Sequence, residues 1–268
     1  MRFVDLSVPL QNFASEYNSA RITYWDHRDF ACRTCSIWGL DPADFPEPYV
    51  GSASEELSLL SHAGTHVDAP WHFGPTTAGR PARTIDEVPL EWCYGPGVVL
   101  DVSGMKADGE WIDVPDVECA LAAIGHRLRP GEIVLLRTGA GDHWDRPDYC
   151  ARGSGLTADS VHWLVEQGIR MITTDAFSLD APIPSMVERF REGDRASFFQ
   201  AHRAGRQVEY VHAEKVVNLQ SLPPVGFTVA LFPVRIRKAS GGWCRAVAMV
   251  EDEGDNGPEA SADSGVLS

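Results

Sequence analysis

At 268 residues, against a prior of roughly 150 per domain, the chain suits one large domain or two small ones, and it is long enough to fold without disulfides or metal. A hydrophobic share of 44% and a charged share of 23% exclude a chain that is disordered, collagen-like or coiled-coil throughout. The formal charge is −15; six acids and no base follow Arg245, so the body before that tail still carries −9, which repels phosphate backbones and anionic lipid and excludes nucleic acid and membrane as expected partners.

From the N-terminus, Asp5 interrupts any apolar leader, so the opening reads as domain rather than signal peptide. Residues 3–10, 31–38, 57–60 and 98–102 are short β-branched or aromatic runs bounded by Gly, Pro or Asp, and predict strands. A helix is predicted from Asp113, a capping residue followed by Pro115, with Val117, Leu121, Ile124 and Leu128 at helical spacing. A strand follows at 133–137. The next helix runs from the cap Thr157 to Gly168 and leads into a strand at 169–174, and a weaker helix is expected at 196–204. Residues 227–237 and 243–250 read as two strands of a hairpin joined by Lys-Ala-Ser-Gly-Gly, with Pro233 marking an edge or bulge. The expected division is one α+β domain over 1–251 and a disordered acidic tail over 252–268. No run approaches 18 apolar residues, and the six cysteines read as reduced thiols of a cytoplasmic protein, Cys32-Arg-Thr-Cys35 having no second pair to complete a zinc site.

The segment that carries chemistry is Ser61-His62-Ala-Gly-Thr-His66-Val-Asp68-Ala-Pro-Trp-His72-Phe73. Imidazole nitrogen and carboxylate oxygen together are the ligand set preferred by zinc, manganese and iron. Gly64, Pro70 and the β-branched Thr65 and Val67 oppose a helix here. In an extended chain His62 and His66 share a face, but their Cα atoms stand roughly 13 Å apart. One ion can reach both only if the chain bends between them, and Gly64 is where a bend costs least.

This segment resembles the HxGTHxDxPxH signature of the metal-dependent cyclase family, which includes bacterial kynurenine formamidases, isatin hydrolases and aromatic-polyketide cyclases. Asp5-Leu-Ser-Val-Pro9, Arg137-Thr-Gly139, Asp175-Ala-Phe-Ser178-Leu-Asp180 and the His202…Glu214…Asn218-Leu219 region extend the resemblance to about residues 3–250. It implies a swivelling β/β/α fold, a single α+β domain with a central barrel-like sheet flanked by helices, commonly as a homodimer or homotetramer. It further implies that His62, His66 and Asp68 hold a first divalent ion, Zn2+ or Mn2+. In two-ion members Asp68 bridges to a second ion held by His202 and Glu214, and His72 is the catalytic base and acid. The sequence departs from the formamidase pattern before Glu214, where His212 could compete as a ligand.

A metal lowers the pKa of bound water towards ~7, and a nearby imidazole titrates in the same range. The expected function is therefore a metal-dependent hydrolase of a C–N amide bond in an aromatic or cyclic amide, N-formylkynurenine- or isatin-like. Ring closure in natural-product assembly and non-catalytic binding of metal or ligand are the alternatives. Trp25, Trp71, Trp144 and Phe177 are candidates for the substrate pocket, with packing as the other reading. Asp175 and Asp180 either hydrogen-bond site histidines or end a strand and cap a turn.

Overall fold

The computed structural model describes residues 1–251 except Phe13, Asn18 and residues 45–50; the expected acidic tail lies outside the described residues. Its main sheet has nine strands: β1 (Arg2–Asp5), β2 (His66–Asp68), β3 (Tyr94–Asp101), β4 (Ile133–Arg137), β5 (Met171–Thr174), β6 (Val211–Glu214), β7 (Phe227–Ala230), β8 (Gly241–Trp243) and β9 (Val247–Val250). They lie in the order β1-β9-β7-β3-β4-β5-β6-β2-β8 and curl into a half barrel. The middle four, β3 to β6, are parallel, and the strands on either side are antiparallel. Among the described residues six α-helices accompany them: α1 (His27–Trp38), α2 (Pro70–Phe73), α3 (Val114–Ala123), α4 (Ala158–Glu166), α5 (Ile183–Arg191) and α6 (Gln200–Ala204).

Alternation along the strands builds two cores. Val99, Ile133, Leu135, Val67 and Ala213 point to one face, where they meet Phe227, Val229 and Ala248. Val98, Leu100, Val134 and Leu136 point to the other, where Val117 and Leu121 of α3 and Val161 and Leu164 of α4 cover them. Strands buried on both faces read as continuous apolar runs, which is why 133–137 is legible to the residue.

Both well-marked helices start at their expected caps. The Asp113 side chain accepts from the Asp116 amide, and that of Thr157 accepts from the Ser160 amide. The run 31–38 is not a strand but most of α1. Asp26 caps it by accepting from the Arg28 and Asp29 amides, Gly39 ends it at φ 69°, and Ala31 and Cys35 form its buried stripe at i, i+4. Helix α5 went unmarked in the sequence, although Pro184 stands in its first turn. The first strand stops at Asp5, the helix expected over 196–204 starts only at Gln200, and the run 57–60 contributes to Ser54–Ser58, which pairs antiparallel with Arg21–Trp25 across α1 in the sequence.

The C-terminal hairpin is corrected in one respect. Strands β7 and β9 do pair antiparallel, but the connection is no simple loop: it crosses the molecule, and Gly241–Trp243 pairs with β2 instead. Pro233, with no N–H to donate, lies in the segment that leaves the sheet.

Candidate metal centre

Strand pairing assembles the site. In the antiparallel register of β2 with β6, His212 faces Asp68 and Glu214 faces His66. Val67 and Ala213, between them, fill the inner core, so the four polar side chains share the opposite face. His62 comes from the turn before β2, His72 from α2 and His202 from α6. The bend expected at Gly64 is present, with φ at 59°.

Five of the nine histidines converge on Asp68, which is 1% exposed. His62 Nδ1 lies 2.6 Å from Oδ1 and His66 Nε2 3.1 Å from it; His212 Nε2 lies 2.8 Å from Oδ2, His72 Nε2 3.8 Å and His202 Nε2 3.9 Å. Donor atoms of Asp68, His202, His212 and Glu214 all fall within 4.8 Å of one another, as do those of His62, Asp68 and His72. His212, which the sequence left as a competitor, is thus inside the cluster.

Outer contacts aim these rings. His66 Nδ1 donates to the Gly64 carbonyl at 2.8 Å, so its buried Nε2 presents a lone pair, and that atom has no hydrogen-bond partner. Such an orphaned nitrogen beside two buried carboxylates fits a divalent cation. Asp180 accepts from His202 Nδ1 and from the Ala201 amide, turning His202 Nε2 towards Asp68. Asp175 does not reach a site histidine; it accepts from the Thr138 hydroxyl and the amides of Thr138, Gly139 and Gly141.

The electrostatics follow from this crowding. Burial pushes the carboxyl of Asp68 up, but the histidines around it hold it well below the usual carboxylate range. Burial, the largest single influence, lowers the pKa of His62, yet the hydrogen bond to Asp68 and the charges of Asp68 and Glu214 together outweigh it and the net shift is upward. His72 is brought down to about 4, chiefly by burial and then by His202 and His62 against the pull of Asp68, so at neutral pH it is an uncharged imidazole able to accept a proton.

Two supports escaped sequence reading. Lys215 Nζ, buried, pairs with Glu16 at 2.8 Å, donates to the His62 carbonyl at 2.8 Å and lies 4.8 Å from the Phe177 ring centre; Glu16 in turn accepts from the Gly64 amide. Gly241 is the other, since a Cβ there would stand 2.7 Å from His62 Cε1. The local signals are a lysine followed by two valines and a Gly-Gly pair. Of the candidate aromatics, Trp71 is exposed beside His72 and Phe177 packs on Tyr17, while Arg33 lies over the Trp25 ring and Trp144 meets Tyr149 edge-to-face.

Comparison with known proteins agrees with this architecture. The chain is 29% identical to the kynurenine formamidase of Salinibacter ruber over 71% of its own length and 77% of that protein. It is 29% identical to that of Maricaulis maris over 81% and 87%. Isatin hydrolase A from Ralstonia solanacearum shares the fold, with a TM-score of 0.74, 22% identity and coverage of 93% of this chain and 92% of that one. Residues 4–181 match the family model described as "Putative cyclase". That match takes in more than half of the chain, from the opening strand through the whole histidine-rich turn to Asp180, and on this ground the chain belongs to the Cyclase family.

Proposed function

We propose that the protein is a metal-dependent hydrolase that cleaves the C–N amide bond of an aromatic or cyclic amide resembling N-formylkynurenine or isatin. The observation that carries the reading is the convergence of five histidines on one buried carboxylate, with His66 Nε2 left unpartnered. The names of the similar proteins supply the substrate class. His62, His66 and Asp68 would hold a first ion, Zn2+ or Mn2+, and Asp68, His202 and Glu214 a second. Bound there, the metal supplies Lewis acidity and a lowered pKa for water.

The chain's own groups do the rest. His72, uncharged and 32% exposed at the edge of the cluster, takes a proton from the attacking water and returns it to the leaving nitrogen. Asp180 and the Gly64 carbonyl hold His202 and His66 in single ring orientations. Trp71 and Phe177 are the aromatic faces proposed for the substrate ring, together with Trp25 and Trp144. Action in the cytoplasm is supported by six unpaired cysteines. Assembly as a homodimer or homotetramer is supported by the exposed Tyr24, Ile37, Trp38 and Leu40, and sedimentation tests it.

Asp68→Asn is expected to abolish both metal binding and turnover. His72→Ala is expected to keep the metal and lose about 10²–10⁴ in kcat. A fully active Asp68→Asn protein contradicts the reading. A second reading, ring closure of an aromatic precursor, is favoured by the family description; it predicts product formation without net addition of water, which mass spectrometry of the product decides.

A further inference from the structure

We propose that His212 is itself a ligand of the second ion and completes, with Asp68, His202 and Glu214, a site of two nitrogens and two oxygens. The inference rests on the metal-hydrolase reading above.

Donor atoms at 2.0–2.1 Å from a tetrahedral ion stand about 3.3 Å from one another. His212 Nε2 is 2.8 Å from Asp68 Oδ2 and 3.2 Å from Glu214 Oε1, and His202 Nε2 is 3.9 Å from Asp68 Oδ2, which brackets that spacing. The backbone register that sets His212 opposite Asp68 makes the approach a property of the sheet rather than of a mobile side chain.

The tautomer points the same way. The Tyr210 hydroxyl donates to the Ala201 carbonyl at 2.8 Å, so its oxygen is left to accept from His212 Nδ1 at 3.3 Å. In the neutral ring this places the Nε2 lone pair towards two carboxylates, an arrangement that a cation between them stabilises. Phe73, 5.0 Å from the His212 ring and stacked on Tyr210, closes the apolar side of the ring.

The test titrates the chelator-stripped full chain with Zn2+ by calorimetry, counts ions by elemental analysis, and repeats both for His212→Ala, His212→Gln and Tyr210→Phe. Wild-type protein is expected to take two ions per chain. Both His212 variants should bind the second at least ~100-fold more weakly and the first within about threefold. Tyr210→Phe, which removes only the hydroxyl, should weaken the second ion by at least ~10-fold. Circular dichroism of the stripped proteins checks folding, and if the His212 variants do not fold, the Tyr210→Phe result decides. Unchanged affinity for the second ion in the folded variants overturns the proposal. So does wild-type protein that takes one ion and is fully active with it, because a protonated His212 then holds the two carboxylates in place of a metal. Wild-type protein that takes no ion contradicts the hydrolase reading itself.

Discussion

Lys215 keeps its ammonium group where almost no water reaches it, 2% exposed like the Glu16 carboxylate it meets. Two charges removed from water are tolerated only when each satisfies the other, and removal of one partner costs about 3–5 kcal/mol. Lys215→Met is therefore expected to lower unfolding free energy by that order in urea, and pairing it with Glu16→Leu should restore most of the loss. A double variant as unstable as the sum of the singles contradicts the coupling. Because the same ammonium holds the His62 carbonyl, the single variant should also loosen the turn that carries His62. At this scale legibility depends on sequence distance. His62, His66, Asp68 and His72 were readable because four donors fall within eleven residues. Nothing local announces that Glu16 and Lys215 meet, and Tyr210 reads as one more aromatic of a strand.

Among the elements, the three-residue strand β2 shows how little backbone a site needs when both its neighbours are fixed. It is held by β6 on one side, which brings His212 and Glu214, and by β8 on the other, which brings Gly241 against the His62 ring. Gly241→Ala is expected to leave the stripped protein folded but to weaken the first ion by at least ~10-fold, read by Zn2+ titration; undiminished affinity would show that the His62 ring does not need the space. The hairpin expected in this region fails at its connection: Lys-Ala-Ser-Gly-Gly reads as a local turn, whereas Gly241–Trp243 pairs across the sheet with β2. Helix α1 was misread for a different reason: β-branched and aromatic residues suggested a strand, and the Asp26 cap and Gly39 stop overrode them. A further link joins β1 to β9, where Arg245 donates twice to Asp5. The Arg245 hydrogen bonds outweigh the upward push of burial and hold Asp5 below its ordinary value, so the stabilisation is present above about pH 4 and lost as pH falls through the folded pKa. The urea midpoints of wild type and Arg245→Ala should differ near pH 6 and converge near pH 3. A gap that persists in acid contradicts the assignment.

Across the whole molecule, the parallel block β3 to β6 has apolar cores on both faces, and β2, which carries His66 and Asp68, is added at its edge beside the ligand-bearing β6. The α+β class and most parallel strands were legible from apolar runs and helix caps, and the central curled sheet only through the family resemblance. The strand order was not, because β2 enters the sheet beside β6 although most of the chain separates them in sequence. The site is thus the place where distant segments are brought together. Turnover of N-formylkynurenine and isatin by protein stripped with chelator, then reloaded separately with Zn2+ and Mn2+, tests this most directly. Hydrolysis of one amide that disappears on stripping and returns with metal is the predicted result. Equal turnover with and without metal, or none of either amide at confirmed metal occupancy, would contradict it.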